Sequence, residues 1–357
     1  MVFPAPTRQG TVASRATKQP LFSRISISNR RRITSILLAV AIFVVLAGLT
    51  SMAQGRRPVI FSILNAIFVG TSVGLFEEFY VQSYRGRWMR SIHPLRSILI
   101  YSAIVSLIFV GATNLTHFLL SGIYDFPVPY GRLPVLLPIV LMFSVIGIAV
   151  MRSVHFIGAK TLFHLMVGTY HRPVLQEKVL VFLDINDSTG LAEQLGPLQT
   201  KSLVGKFLFD VSKPITDYGG DIYLYKGDGL IAVWEWRDAI GGSLILKALD
   251  AVAATIRREL RVFRQQFGVV PSFRIGVHGG EVVVSEQGDT KRAIGIYGST
   301  INIAARMEEA AKTHNIVCAI SGDVAQELSD PENRLSLIGY EKIKGIATEM
   351  AIFEYRC

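Results

Sequence analysis

Cysteine is almost missing from this 357-residue chain, which has only Cys318 and Cys357. Neither has a partner at metal-ligand spacing, so no disulfide framework and no zinc site is implied. Acidic residues are scarce in the first half. Residues 1–152 hold 15 Lys and Arg against 3 Asp and Glu, whereas the remainder holds 22 against 24. The formal net charge of +10 is therefore concentrated at one end. The near-neutral second half carries no basic stripe for a phosphate backbone, and no nucleic-acid partner is expected. A cleaved secretory signal is lacking as well, because the first apolar run lies behind a long basic leader and has a full spanning length. His155, His164 and His171 do not form a metal cluster.

What the chain does have is apolar residues, half of its composition. Four apolar stretches, residues 33–53, 58–76, 97–115 and 133–151, each approach the ~20 residues needed to cross a bilayer as a helix. Arg and Lys crowd the leader (residues 1–32) and the loop between the second and third stretches (Arg85, Arg87, Arg90, Arg96). Arg56 and Arg57 in the first turn run against that asymmetry, but the majority puts the N-terminus, the second loop and the C-terminal half in the cytoplasm. The expectation is a four-helix membrane domain over 33–151 in the plasma (inner) membrane, with the lipid bilayer as partner. Asn65, Asn114 and His117 are its polar features. No ionisable group is central in a span, so anchoring is favoured over sensing. A connector over 152–177 begins as a helix and breaks at Pro173.

From residue 178 the pattern alternates strands and helices. Strands are expected at 179–183, 221–225, 230–234, 272–278, 316–320, 335–340 and 350–355, and helices at 198–218, 242–267 and 300–314. This is an α/β (α+β, ferredoxin-like) sandwich, with helices over a mainly antiparallel sheet.

Two carboxylates sit at telling places. Asp184 ends the first strand in FLDINDSTG, and Asp228 sits in the YKGDGL turn between two strands. Paired carboxylates at one sheet end can hold divalent cations that bridge to phosphates. Equally, an Asp at a strand end is often a cap, and GDG is a common turn. Further on, YGSTINIAARMEEAA opens a helix in which Asn302 and Arg306 share a face. An amide and a guanidinium there suit a sugar and a phosphate, while the plain alternative pairs Arg306 with Glu308 or Glu309. EKIKG adds Lys342 and Lys344.

In order and spacing, FLDINDSTG, YKGDGLIAVW, FRIGVHGGEVV, YGSTINIAARM and EKIKG resemble the class III adenylyl and guanylyl cyclase family. The resemblance implies a catalytic domain over 178–357 that works as a head-to-tail homodimer on ATP. It implies that Asp184 and Asp228 hold two Mg²⁺ or Mn²⁺ ions, helped by the Ile185 carbonyl. Asn302 would orient the ribose, Arg306 stabilise the transition state and Lys344 grip the terminal phosphates, all three from the partner subunit. Members that select adenine usually carry Lys four residues before the second aspartate, and Asp, Thr or Ser three before the YG glycine. Here those positions hold Leu224 and Gly295, and Lys226, two residues on along the strand, stands as the substitute. The Glu and Cys typical of guanine choice are absent. The alternatives are a guanylate cyclase and an inactive cyclase-like dimerisation module. A diguanylate cyclase is disfavoured, because Gly219-Gly220-Asp221 continues into Ile222-Tyr223.

Overall fold

The computed structural model describes residues 27–54, 59–81, 92–123, 167–289, 293–330, 332–342 and 349–357, with isolated positions between 86 and 145. Most of the fourth apolar stretch, most of the connector and Lys344 lie outside the described residues.

Three N-terminal helices, α1 (Ile27–Gln54), α2 (Val59–Leu75) and α3 (Pro94–Leu120), cover the first three apolar stretches. A π-helical turn, Phe76–Val81, continues α2. Glycines let α1 and α2 approach closely. A Cβ on Gly70 would lie 3.1 Å from Val40 Cγ2, and one on Gly74 would lie 2.9 Å from Ile36 Cγ2. Small residues at this four-residue spacing are how apolar helices meet where van der Waals contact replaces the hydrophobic drive. Leu37, Phe43, Leu46, Leu99 and Leu107 stay exposed, as side chains facing lipid would. Of the polar candidates, Thr113 Oγ1 approaches Asn65 Oδ1 at 3.5 Å, and Asn114 bonds its own helix at Val110 O, 2.8 Å. One ionisable side chain escaped the sequence reading because it lies just past residue 76. Glu77 is buried, and the Tyr101 hydroxyl hydrogen-bonds it.

The C-terminal sheet has the order β2-β3-β1-β4-β6-β8-β7, with β5 paired to β4. Its strands are β1 (Val174–Ile185), β2 (Asp221–Lys226), β3 (Gly229–Glu235), β4 (Phe273–Gln287), β5 (Ala293–Tyr297), β6 (Cys318–Ser321), β7 (Leu335–Glu341) and β8 (Met350–Tyr355). Only β4 and β6 run parallel. The strand β1 begins at Val174, inside the segment read as connector, and pairs with β4 along its whole length. The four longer helices of the domain are α4 (Ser188–Leu195), α5 (Pro197–Asp217), α6 (Leu244–Phe267) and α7 (Ser299–Thr313).

Side-chain alternation along β1 explains the layering. Val179, Val181 and Leu183 join Phe207 and Val211 of α5 and Leu249 and Val252 of α6 in the main core. Leu180 points the other way, into a smaller cluster with Ile231, Val282 and Ala304 of α7. With both faces covered, the strand reads as a continuous apolar run rather than an alternating one. By length and composition, Val59–Val81, Arg96–Leu120 and Trp236–Phe267 could each cross a membrane. The last contains α6, whose Ile245, Leu249, Val252 and Ile256 face the core at helical spacing. Its opposite side carries Arg257, Arg258 and Arg261, so it is a one-sided helix of the sandwich.

The helix α7 lies tightly on β4 because Gly276 lacks a side chain. A Cβ there would stand 2.1 Å from the Glu308 backbone nitrogen. Gly276→Ala is expected to destabilise the domain by about 2–3 kcal/mol through overpacking, read from denaturant midpoints.

His278 of β4 is 4% exposed, with Nδ1 2.8 Å from Ser321 Oγ. Burial pulls its pKa down from 6.5 to about 4, with Asp323 opposing. Between those values the unfolded chain binds the extra proton, so stability falls with acidification through that window. The loss should reach about 3 kcal/mol. His278→Gln should flatten the slope in chemical denaturation series between about pH 7 and about pH 4.

Candidate active site

Asp184 is the penultimate residue of β1, and the β2–β3 hairpin brings Asp228 beside it. Leu183 pairs with Leu230, which puts Gly229 opposite Asp184. A Cβ on Gly229 would lie 2.4 Å from Asp184 Oδ1 and 2.5 Å from Leu183 O, so the carboxylate lies across the glycine. The hairpin turns on Gly227, whose φ of 63° suits the first central position of a two-residue loop. Burial pushes the Asp184 pKa up to about 6, and the charges of Asp228 and Glu308 add to the rise. The Ile185 amide and Lys226 oppose it. Two half-buried carboxylates thus repel each other, a donor set of hard oxygens that a divalent cation would relieve. Among the described residues no group of three or more His, Cys, Asp or Glu is placed to hold a metal. Two carboxylates with phosphate oxygens supplying further ligands would fit Mg²⁺.

The helix α7 carries the remaining candidates on two faces. Asn302 and Arg306 are exposed, and Arg306 pairs with Glu309, as the plain alternative had it. Glu308, about 200° further round the helix than Arg306, is half-buried near Asp184 and Asp228. Burial raises its carboxyl and Arg274 restrains the rise. The sequence reading missed Glu308, since only the close passage of α7 over Gly276 brings it to the carboxylate pair.

At the expected base-reading positions, Leu224 is 48% exposed on β2. A bulge at Tyr223 shifts the β2 register just before it, and the Tyr223 hydroxyl accepts a bond from the Ile296 amide. A Cβ on Gly295 would meet the Tyr297 ring at 2.7 Å and the Gln287 carboxamide at 2.9 Å. The Tyr297 hydroxyl donates to Gln287 Oε1. Lys226 is exposed, and its charge acts on Asp184, which places it by the carboxylate pair.

Residues 173–354 match the family described as the adenylate and guanylate cyclase catalytic domain. The chain belongs to that family. Class III cyclases are metal-dependent enzymes that bind a nucleotide and typically dimerise. The chain is 29% identical over 261 residues to adenylate cyclase 2 of Rhizobium meliloti (strain 1021), covering 72% of this chain and 71% of that one. That alignment is longer than the cyclase domain itself, so the likeness extends beyond it. An adenylate cyclase of Anabaena cylindrica is 28% identical over 184 residues, 50% of this chain and 36% of that one. A solved bacterial light-regulated adenylyl cyclase shares the fold, with a TM-score of 0.52 at 18% identity over 61% of this chain and 63% of that one. The cyclase domain and its named relatives support adenylate cyclase activity.

Proposed function

We propose that the protein is a membrane-anchored adenylate cyclase that converts ATP to 3′,5′-cyclic AMP and pyrophosphate as a homodimer. The observation that carries this reading is the Asp184–Asp228 carboxylate pair, whose charges act on each other beside a glycine hairpin. In this reading Asp184, Asp228 and the Ile185 carbonyl hold two Mg²⁺ or Mn²⁺ ions. When bound, the ions supply acidification of the ribose 3′-hydroxyl and neutralisation of the phosphate charge. The bond from O3′ to the α-phosphorus forms, the bond to the bridging oxygen breaks, and the hydroxyl proton passes to solvent.

Asn302 positions the ribose and Arg306 meets charge developing at the α-phosphate. Lys344 holds the terminal phosphates, and Lys226, whose charge acts on Asp184, stands in for the adenine-reading lysine. Asn302 and Arg306 face outward in the single chain while Glu308 faces the carboxylates. That division is what a site shared between two subunits needs. The domain order we propose is a basic leader (1–32), a transmembrane domain (33–151), a connector (152–177) whose last residues, from Val174, already belong to β1, and the cyclase (178–357). Arg and Lys around the spans support a cytoplasmic N-terminus and catalytic domain.

ATP is favoured because the named relatives are adenylate cyclases. Leu224 and Gly295, where adenine readers are expected, keep a guanylate cyclase as the second reading. The test assays the full chain in detergent with Mn²⁺ and either ATP or GTP. Cyclic AMP should form. Cyclic GMP alone would overturn the substrate assignment, and no cyclic product would favour an inactive module.

A further inference from the structure

We propose that the Gln287 carboxamide, held in one orientation by the Tyr297 hydroxyl, reads the adenine edge of the nucleotide. Gln287 is then a specificity-determining residue and Tyr297 the positioning residue behind it. This rests on the ATP reading above. Gly295, three residues before Gly298, stands where a base-reading side chain is expected and has none to offer. The space beside it is filled all the same. On the β4–β5 pair, Ser285 stands opposite Gly295, Gln287 opposite Ala293 and Val283 opposite Tyr297. Gln287, Gly295 and Tyr297 therefore share one face of the ribbon. Their side chains meet over the glycine, since a Cβ there would lie 2.9 Å from Gln287 Oε1 and 2.7 Å from Tyr297 Cε2. Any larger residue at 295 would part the two, so the glycine is the condition for the amide's placement.

The pair stands where a base would arrive. The strand β5 ends at Tyr297, and α7 begins at Ser299. Along α7, Asn302 takes the ribose and Arg306, about one turn further on, takes the α-phosphate. The base leaves the ribose on the side away from the phosphate. That side faces back toward the start of the helix, where Tyr297 and Gln287 lie. Both side chains are exposed and open to a ligand. The Ile296 amide donates to the Tyr223 hydroxyl at 3.1 Å, which fastens this ribbon to β2.

A carboxamide that can turn over exchanges its acceptor for its donor and reads either purine. Here the Tyr297 hydroxyl donates to Gln287 Oε1, which fixes which end is which. Oε1 keeps a second lone pair to accept from the adenine 6-amino group, and Nε2 donates to the ring nitrogen beside it. Guanine offers the opposite order, an oxygen at position 6 and an N–H at position 1. It would set acceptor against acceptor and donor against donor, and unpaired polar groups of that kind separate related substrates strongly.

Initial rates of the full chain in detergent with Mn²⁺, on ATP and on GTP, test this. Gln287→Glu leaves only acceptors, which suit the N1–H and 2-amino group of guanine and oppose N1 of adenine. It should move the ratio of kcat/KM for ATP over GTP toward GTP on the order of tenfold or more. Tyr297→Phe keeps the amide but frees it to turn. It should raise kcat/KM for GTP and lower that for ATP, moving the ratio less than Gln287→Glu does. Gln287→Ala should cost ATP more than it costs purine riboside triphosphate, which lacks the 6-amino group. Each comparison sets two substrates against one protein, so any loss of folded enzyme cancels. Rates that fall equally on all three nucleotides, or a ratio that none of the variants moves, would overturn the Gln287 assignment while the cyclase reading stands. An unaltered chain that forms no cyclic AMP would instead overturn the function proposed above, and the assignment with it.

Discussion

Asp184→Asn is expected to lower the cyclase rate by about 10³-fold or more while leaving the fold intact. A metal-held phosphate is worth several kcal/mol in the transition state, and each ~1.4 kcal/mol is tenfold. The same change should raise the thermal stability of the metal-free protein. Asp184 sits in a pocket that favours its protonated form, through burial first and the Asp228 and Glu308 charges next. A carboxyl whose folded pKa is raised loses stability as pH climbs from 3.8 through about 6. Near neutral pH that penalty is fully present, and Asn removes it. Because the group is only half-buried, the gain should be on the order of 1 kcal/mol. Calorimetry in chelator together with initial rates in Mn²⁺ measures both effects. A variant that loses activity and also melts lower would mean that Asp184 serves the fold instead.

The second large effect concerns Arg306. Arg306→Ala and Asp184→Ala should each be nearly inactive as pure dimers, since each removes one member from both sites. Random mixing makes half of the dimers mixed, and each mixed dimer has one intact site. Recovered activity should therefore approach about a quarter of that of the unaltered protein, as a two-fold assembly requires. Product formed against mixing ratio gives the curve, with a maximum at equal amounts. A flat curve from mutants shown to dimerise would count against sites built from two chains. In the single chain Arg306 pairs with Glu309 on the exposed side of α7. That pair would have to open when the partner docks, and surface pairs of this kind are weak enough to do so.

Much of this was legible from local pattern. Asp184 stands at a strand end, Asp228 in a two-residue hairpin with glycine on either side, and α7 runs within a residue of its expected bounds. These features are set by neighbours in sequence, so the sequence declares them. The parts that were not legible depend on distant contacts. The strand β4 was expected to stop at His278, yet it runs on to Gln287. Gly279 is required there because the Trp236 ring would stand 2.5 Å from any Cβ. The bulge at Tyr223 follows from bracing β5, which itself went unrecognised as a strand. Asp187 supplies the cap of α4 from a left-handed conformation, and that helix was not among those expected. Glu308 gains its meaning only from the passage of α7 over Gly276.

The two faces of α7 carry one more consequence. In the dimer we propose, this helix is a wall of its own chain's pocket through Glu308 and a tool in the neighbour's pocket through Arg306 and Asn302. Pressed onto β4 at Gly276 with no space for a methyl group, it has little room to move except with the strand beneath it. Any change that displaces this rod, whether a substitution under it or a shift of β4, would therefore disturb both pockets of the dimer together rather than one at a time.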